Sequence, residues 1–181
     1  ARERGMDSAL QQALDAIEAA TRGMTAGQLE RHPEGKWPAA GILEHLAITF
    51  GGTARLMRKC LDDGKPRGST PTFKQRLAAM VVTGWGYFPT GRQAPEFAQP
   101  KGLSGEEALQ TIRENLVAMD QALAECEQRF GAQVKIADHV VLGALTIPQW
   151  RRFHLIHTRH HMKQIERLRE DRVAQPSSPA A

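Results

Sequence analysis

The chain has 181 residues, of which 24 are Lys or Arg, 20 are Asp or Glu and seven are His, and 41% are apolar. This is the composition of one globular domain with a well-buried core, and it excludes a disordered chain. No apolar run approaches the ~20 residues that a membrane span needs, and the N-terminal segment lacks a signal-peptide pattern. Two cysteines cannot form a disulfide framework. We therefore expect a cytoplasmic protein with no membrane partner.

The first half of the chain has helical periodicity. Apolar residues recur at spacings of four, four and three between Met6 and Ile17, which predicts a first helix ending near Arg22. Thr25 and Gln28 have the spacing of a capping box and predict a short helical segment. A second long helix is predicted over residues 38–63, where the sequence Gly-Lys-Pro at 64–66 ends it.

Residues 64–103 lose this periodicity and are rich in proline and glycine. A short helix is predicted within this stretch, over residues 73–82. The remainder, including the aromatic sequence at 85–88 and Pro89, is predicted to form a long excursion between the second and third long helices. Loops of this length are often functional or mobile.

Two more long helices are predicted in the second half. Ser104 and Glu107 form a capping-box pattern that opens the third helix, and Gly131 ends it. Residues 138–145 connect it to the fourth helix, with 140–142 predicted to be extended. The fourth helix begins at a cap of Thr146 and Gln149 and runs to about residue 172. The pattern therefore predicts an all-α four-helix bundle at residues 7–172, with a flexible N-terminus at 1–6, a long crossover between the second and third helices, and a disordered tail at 173–181.

The inner face of the fourth helix is rich in histidine. On a helical wheel, His154, His157, His161 and Gln164 fall within an arc of about 120° that also holds large apolar residues. A buried polar group without a partner costs roughly 1–3 kcal/mol, and neighbouring buried imidazoles are expensive to protonate together. A divalent ion removes both problems, since it binds neutral imidazole and histidines four apart on a helix reach one ion. The alternative is a hydrogen-bonded network of core histidines.

A third ligand must come from another element. His45 on the second long helix is the best candidate, although it lies toward the border of that helix's apolar stripe. His32 and His139 are assigned to loops and are weaker candidates, and His160 is assigned to the rim. Three histidines leave a coordination position open, which is typical of catalytic sites, and the absence of thiolates from the motif favours zinc, nickel, iron or copper over magnesium or calcium.

The sequence offers little support for other chemistry. Cys60 and Cys126 are interpreted as structural, and the motifs GxSxG, GxGxxG, CxxC and the P-loop are absent. Arg151, Arg152 or a residue of the 64–103 insert is a candidate contact for an anionic substrate. The net charge of +4 is small and dispersed, so nucleic acid is an unlikely partner even though the pI is about 9.4.

A family resemblance follows from the order of these motifs. The sequence Ile42-Leu43-Glu44-His45-Leu46-Ala47 after Trp37, followed late in the chain by His157-x-x-x-His161-x-x-Gln164, resembles the DinB/YfiT-like superfamily of metal-binding four-helix bundles. The stretch from Leu142-Gly143 to Gln149-Trp150, together with the late histidines, is similar to one branch of uncharacterised function. The resemblance covers about residues 7–170.

The resemblance implies a metal site and leaves the reaction open. It implies that His45, His157 and His161 bind a divalent metal, often nickel or zinc, with water or substrate completing the coordination. Many members of the superfamily are dimers, so a homodimer is one of the two oligomeric states left open. Characterised relatives include bacillithiol transferases and mycothiol-dependent maleylpyruvate isomerase, so a low-molecular-weight thiol is an implied cofactor. His154 and Gln164 are candidates for orienting the ligands, with a role as an ordinary core residue equally open for His154.

Two functional hypotheses lead from the sequence. The first is a metal-dependent transferase or hydrolase that acts on a small-molecule substrate, with zinc or nickel expected first and iron or copper next. The second is a non-catalytic, metal-stabilised ligand-binding or stress-response module. A nucleic-acid binder ranks third. The catalytic residues are not assigned by either hypothesis.

Overall fold

The computed structural model describes residues 5–88 and 94–170. Its helices, in chain order, are α1 (Ser8–Thr21), α2 (Ala26–Glu30), α3 (Ala39–Asp62), α4 (Phe73–Ala79), α5 (Gly105–Phe130) and α6 (Ile147–Glu170). α4 continues into a π-helical turn (Met80–Gly84), and a 3₁₀ turn (Glu96–Ala98) follows. α1, α3, α5 and α6 are the four long helices, so the predicted all-α four-helix bundle is confirmed.

The bundle is built from two closely packed helix pairs. α3 packs along α5, and α1 packs along α6, whereas α3 and α6 approach each other over a shorter stretch. α3 and α5 carry most of the largest fully buried side chains among the described residues, which are Leu43, Leu46, Phe50 and Met57 on α3 and Ile112, Leu116, Met119 and Leu123 on α5. The less tightly packed α3–α6 seam leaves space for a cleft.

Local capping interactions fix the helix starts. Both predicted capping boxes at Thr25 and Ser104 are present, and Thr146 and Gln149 exchange the same pair of hydrogen bonds at the start of α6. A further capping box, which the sequence reading did not identify, joins Thr72 to Gln75 at the start of α4. These interactions satisfy backbone N–H groups that a helix leaves unpaired at its first turn.

The connector before α6 differs from the prediction. Residues 140–142 were expected to be extended, but they form the turn between two short antiparallel strands, β1 (Ala137–His139) and β2 (Gly143–Leu145). The turn closes because the Nδ1 atom of His139 accepts the backbone N–H groups of Val141 and Leu142, both at 3.2 Å. Gly143 has a φ of +70°, a conformation that favours glycine. His139 therefore lies in a strand and not in the loop predicted for it.

The insert between α3 and α5 packs back onto the bundle. The short helix predicted over 73–82 corresponds to α4 and its π-helical turn. Residues 89–93 of the predicted excursion lie outside the described residues, as do residues 1–4 and 171–181, which contain most of the predicted flexible N-terminus and all of the predicted tail. Met6, assigned to that flexible N-terminus, is partly buried against the core. Among the helices that the structure describes, none is both long and apolar enough to cross a membrane.

Candidate metal centre

Three imidazole rings from two helices meet between α3 and α6. The Nε2 atom of His157 lies 3.2 Å from Nε2 of His45 and 3.0 Å from Nε2 of His161. All three rings are buried, with at most 8% of any of these residues exposed. One nitrogen from each ring lies within 4.8 Å of the others, close enough for the three to hold one metal ion.

The helical geometry explains how the three rings meet. His157 and His161 are four residues apart on α6, so their side chains lie on the same face. α3 and α6 run in opposite directions, since His45 contacts His161 while Thr53, further along α3, contacts His154. His45 is 4% exposed because Trp37 and the end of the insert cover it. His45 lies at the border of the apolar stripe on the helical wheel, but its side chain is buried because a segment distant in sequence covers it.

Hydrogen bonds fix the tautomers of two rings. Nδ1 of His45 lies 2.7 Å from the carbonyl oxygen of Ala98, and Nδ1 of His161 lies 2.8 Å from Oε1 of Gln164. A carbonyl oxygen only accepts, so each Nδ1 carries the proton and each Nε2 presents a lone pair. Nε2 of His157 can donate one hydrogen, so it can satisfy the lone pair of either His45 or His161 but not both. A cation among the three Nε2 atoms satisfies all three lone pairs when His157 carries its proton on Nδ1, an atom that is buried without a partner in the described part of the chain. The donor set therefore fits a divalent ion that binds imidazole.

The site holds neutral imidazoles. Burial is the main cause that lowers the pKa of His45, brings that of His161 to about 3 and places that of His157 well below the ordinary value. The neighbouring imidazoles lower the pKa of His157 and His161 further, because two positive charges in this space repel. Neutral imidazole is the form that binds metal, so the cluster needs no deprotonation at neutral pH.

A buried carboxylate supports this arrangement. Glu44 is 3% exposed, and its oxygens accept the backbone N–H groups of Lys101, Gly102 and Leu103 at 2.8–2.9 Å. These bonds tie α3 to the end of the insert, just after the carbonyl of Ala98 that holds His45. The sequence reading gave Glu44 no role beyond the family motif. Its only signal was a carboxylate beside His45 on a helix that is otherwise apolar at this point.

The remaining polar candidates take different positions. Gln164 bonds His161, and its Nε2 lies 3.4 Å from Nε2 of the half-buried His160. His154 is 1% exposed on the same face of α6, but its Nε2 bonds Oγ1 of Thr53 at 2.9 Å and not a ring of the cluster. Thr53 is a further cleft residue that the sequence reading did not single out.

The histidine cluster borders a cleft of about 1560 Å³ between α3, α6, the insert and the β1–β2 turn. Its walls are largely aromatic, with the ring of Phe153 stacked 5.3 Å from His157 on one side and 4.3 Å from His139 on the other. Phe88 covers His157 at 5.2 Å. The charged side chains other than histidine that line the cleft are Lys36, Arg55, Lys74, Asp138 and Arg167. The cleft is large enough for a small organic molecule, which fits the small-molecule substrate expected from the sequence.

Arg151, a candidate for binding an anionic substrate, does not line the cleft. Its guanidinium forms an ion pair with Glu127 at 2.7 Å, and its side chain is 12% exposed. Arg152 is also absent from the cleft lining. The cleft cations lie outside this pair, and one of them, Lys74, belongs to the 64–103 insert that was the third alternative for a contact with an anionic substrate.

Both cysteines are buried in the core, as the structural interpretation expects. The Cys60 thiol donates to the carbonyl of Ile136 and the Cys126 thiol to the carbonyl of Met57. Burial raises the pKa of Cys60 and raises that of Cys126 to about 11. Neither thiol is therefore a thiolate nucleophile at neutral pH.

A comparison with known protein families agrees with this geometry. The model of the DinB superfamily matches residues 9–165. The match spans most of the chain and includes all three clustered histidines and Gln164. No curated protein and no solved structure is significantly similar to this chain.

Proposed function

The chain belongs to the DinB superfamily, and we propose that it is a metal-dependent enzyme whose ion is held by His45, His157 and His161. The observation that carries this proposal is the meeting of three buried Nε2 atoms, two of them with fixed lone pairs, beside an open cleft. A hydrogen-bonded core network would leave the Nε2 lone pair of either His45 or His161 without a hydrogen, because His157 can donate to only one of them.

The donor set favours zinc or nickel, with iron or copper next, because three neutral imidazoles are its only protein ligands. A closed structural zinc site takes four protein ligands, whereas three leave a position for substrate. A divalent ion in this site supplies Lewis acidity, which polarises a bound group and favours loss of a proton from water or a thiol.

The protein's own residues supply orientation and a dry environment. The carbonyl of Ala98 and the side chain of Gln164 hold two ligand rings in the required tautomer. Phe88 and Phe153 cover His157 and exclude water from one side of the cluster. The cleft receives a small organic electrophile, and the reaction class that fits best is transfer of a low-molecular-weight thiol to it, with hydrolysis as the second candidate.

Metal content tests the site. We would measure metal by elemental mass spectrometry in the wild-type protein, His45→Ala and His157→Ala, with His160→Ala as the control on the same helix. About one ion per chain is expected in the wild type and the control, and none in the other two variants. A wild type that stays metal-free after reconstitution would support the polar core network and contradict the proposal.

Activity tests catalysis separately. The zinc- and nickel-loaded proteins would be assayed with thiols and electrophiles and with hydrolysable esters. Turnover should disappear with the metal in His157→Ala. Full turnover in metal-free His157→Ala would contradict a metal-dependent enzyme, whereas bound metal without any exchangeable coordination position would favour the non-catalytic, metal-stabilised module. On family grounds we also propose a cytoplasmic homodimer, which sedimentation velocity tests for the oligomeric state.

A further inference from the structure

α3 and α6 make a second polar contact away from the histidine cluster. Oγ1 of Thr53 lies 2.9 Å from Nε2 of His154, and both residues are buried, at 6% and 1% exposed. Both also line the cleft. Thr53 follows His45 by eight residues on α3, which is about 12 Å along a helix that rises 1.5 Å per residue. The cleft thus has polar groups at two separate points.

The direction of this hydrogen bond follows from the other nitrogen of His154. Nδ1 is buried and has no partner in the described part of the chain. A buried N–H without an acceptor is rarer in proteins than an acceptor without a donor, so the proton belongs on Nε2, which donates to Thr53. The hydroxyl hydrogen of Thr53 then has no acceptor among the residues described, and the side chain borders the cleft.

Thr49, one turn earlier on α3, provides the contrast. It also lines the cleft, but its hydroxyl donates to the carbonyl oxygen of Leu46 at 2.9 Å. Its one hydroxyl hydrogen is therefore used within its own helix. Of these two threonines, Thr53 is the one with a donor to offer to a molecule in the cleft.

The helix wall beside Thr53 is open. Gly52 lines the cleft, and a Cβ atom added to it would meet nothing within 4 Å. Gly51 beside it is different, since its Cβ would lie 2.7 Å from Nδ2 of Asn115. Glycine inside a helix is destabilising relative to alanine, and at Gly52 close packing does not account for it. The missing side chain leaves the approach to Thr53 along this wall clear.

We propose that the cleft binds an elongated molecule, with one end at the metal centre, an apolar chain that runs along α3 and passes Gly52, and an uncharged hydrogen-bond acceptor at Thr53. The acceptor is a carbonyl, ether or hydroxyl oxygen, because Thr53 offers a hydroxyl hydrogen and its partner His154 is a neutral ring whose pKa burial lowers to about 3. The aromatic and aliphatic walls suit the apolar chain. This inference rests on the proposed metal centre and defines the substrate class that it takes.

Mercaptoalkanols of increasing length provide the probe. The zinc-loaded full chain would be titrated calorimetrically with mercaptoethanol, mercaptohexanol and mercaptononanol, whose thiol binds at the metal and whose hydroxyl provides the acceptor. Affinity is expected to rise with length. Thr53→Val should weaken mercaptononanol about fivefold, the value of one neutral hydrogen bond, and Thr53→Ser should restore it. Thr49→Val is the matched control and should leave all affinities unchanged.

Gly52→Leu tests the approach to Thr53 along this wall. The leucine should weaken mercaptononanol at least tenfold while mercaptoethanol binds as in the wild type, with one zinc per chain retained. Since the added side chain enters open space, this variant also carries the test if Thr53→Val fails to fold. Affinity that does not depend on length, or equal weakening of both thiols by Gly52→Leu, would overturn the inference while leaving the metal centre standing. Failure of mercaptoethanol to bind the zinc-loaded wild type would overturn the open coordination position as well.

Discussion

The carboxylate of Glu44 accepts the backbone N–H of Leu103 at 2.9 Å, and this bond joins α3 to the chain segment that covers His45. The neighbouring amides of Lys101 and Gly102 donate to the same side chain. His45 thus points its imidazole at the cluster. Glu44, the residue before it, holds the backbone segment whose Ala98 carbonyl orients that imidazole.

Replacing Glu44 should therefore weaken both the fold and the metal site. Glu44→Gln places an amide group against three backbone donors, so at least one charge-assisted bond is lost, at a cost of about 2 kcal/mol in the free energy of unfolding. With Ala98 less firmly held, metal affinity should fall about tenfold. Urea unfolding and chelator competition measure the two effects. Glu30→Gln, at an exposed position on α2, is the control and should change neither the free energy of unfolding nor the metal affinity. Equal effects in the two variants would contradict the role assigned to Glu44.

Gln164 should control metal affinity through His161. Gln164→Leu removes the acceptor that fixes the ring's tautomer, and we expect metal affinity to fall 10- to 100-fold, roughly the effect of losing a partner of a ligating histidine. Gln164→Glu keeps an oxygen at this position and should bind metal at least as tightly as the wild type. Competition with a chromophoric chelator gives both affinities. An unchanged affinity in Gln164→Leu would show that the Nδ1 bond does not orient the ligand.

The adjacent glycines of α3 should respond in opposite ways to alanine. Gly52→Ala adds a methyl group in open space and should stabilise the protein by about 0.5–1 kcal/mol through helix propensity. Gly51→Ala forces the side chain of Asn115 away from the carbonyl of Ala47, to which it donates at 2.8 Å. The free energies of unfolding of the two variants should differ by about 1–2 kcal/mol. Similar free energies of unfolding in the two variants would contradict the close contact of Gly51 with Asn115 and the open space beside Gly52.

The apo protein should lose stability between pH 6.5 and pH 5. Burial lowers the pKa of His139 to about 4 and that of His154 to about 3, so the unfolded chain binds more protons than the native one below pH 6.5. Each such histidine removes about 1.4 kcal/mol per pH unit once the pH is below 6.5, until its native pKa is reached. Urea unfolding in the presence of a chelator measures the slope.

His139→Asn isolates one of these contributions. Asparagine keeps an acceptor for the two backbone N–H groups of the β1–β2 turn but does not titrate in this range. The slope of stability against pH should fall by about 1.4 kcal/mol per unit. An unchanged slope in His139→Asn would contradict burial as the cause.

The elements that the sequence predicted are those fixed by local interactions. The capping boxes at Thr25 and Ser104 involve residues three apart, and the long helices follow from apolar periodicity. The spacing of His157 and His161 places them on one face by helix geometry alone. Each of these features is determined within a few residues of the chain, so no knowledge of the tertiary structure was needed to predict it.

The features that sequence reasoning missed depend on contacts between distant segments. His45 was the best candidate for the third ligand, but the apolar periodicity placed it only at the border of its helix's stripe, because part of the segment that buries it, at Ala98, lies more than fifty residues later. Glu44 and Thr53 gained their roles from partners on the insert and on α6. The wrong assignment at residues 140–142 arose because β propensity outweighed a turn that His139 closes with its side chain.

The division of the bundle into two closely packed helix pairs has an evolutionary consequence. The cleft lies along the seam between α3 and α6 and not in the close-packed α3–α5 interface, so mutations at cleft positions such as Ile48 or Val81 alter its shape without opening that interface. Such changes are tolerated more readily than substitutions in a close-packed interior. Descendants of this chain could therefore acquire new substrates by small steps while the helices that present the histidines stay in place.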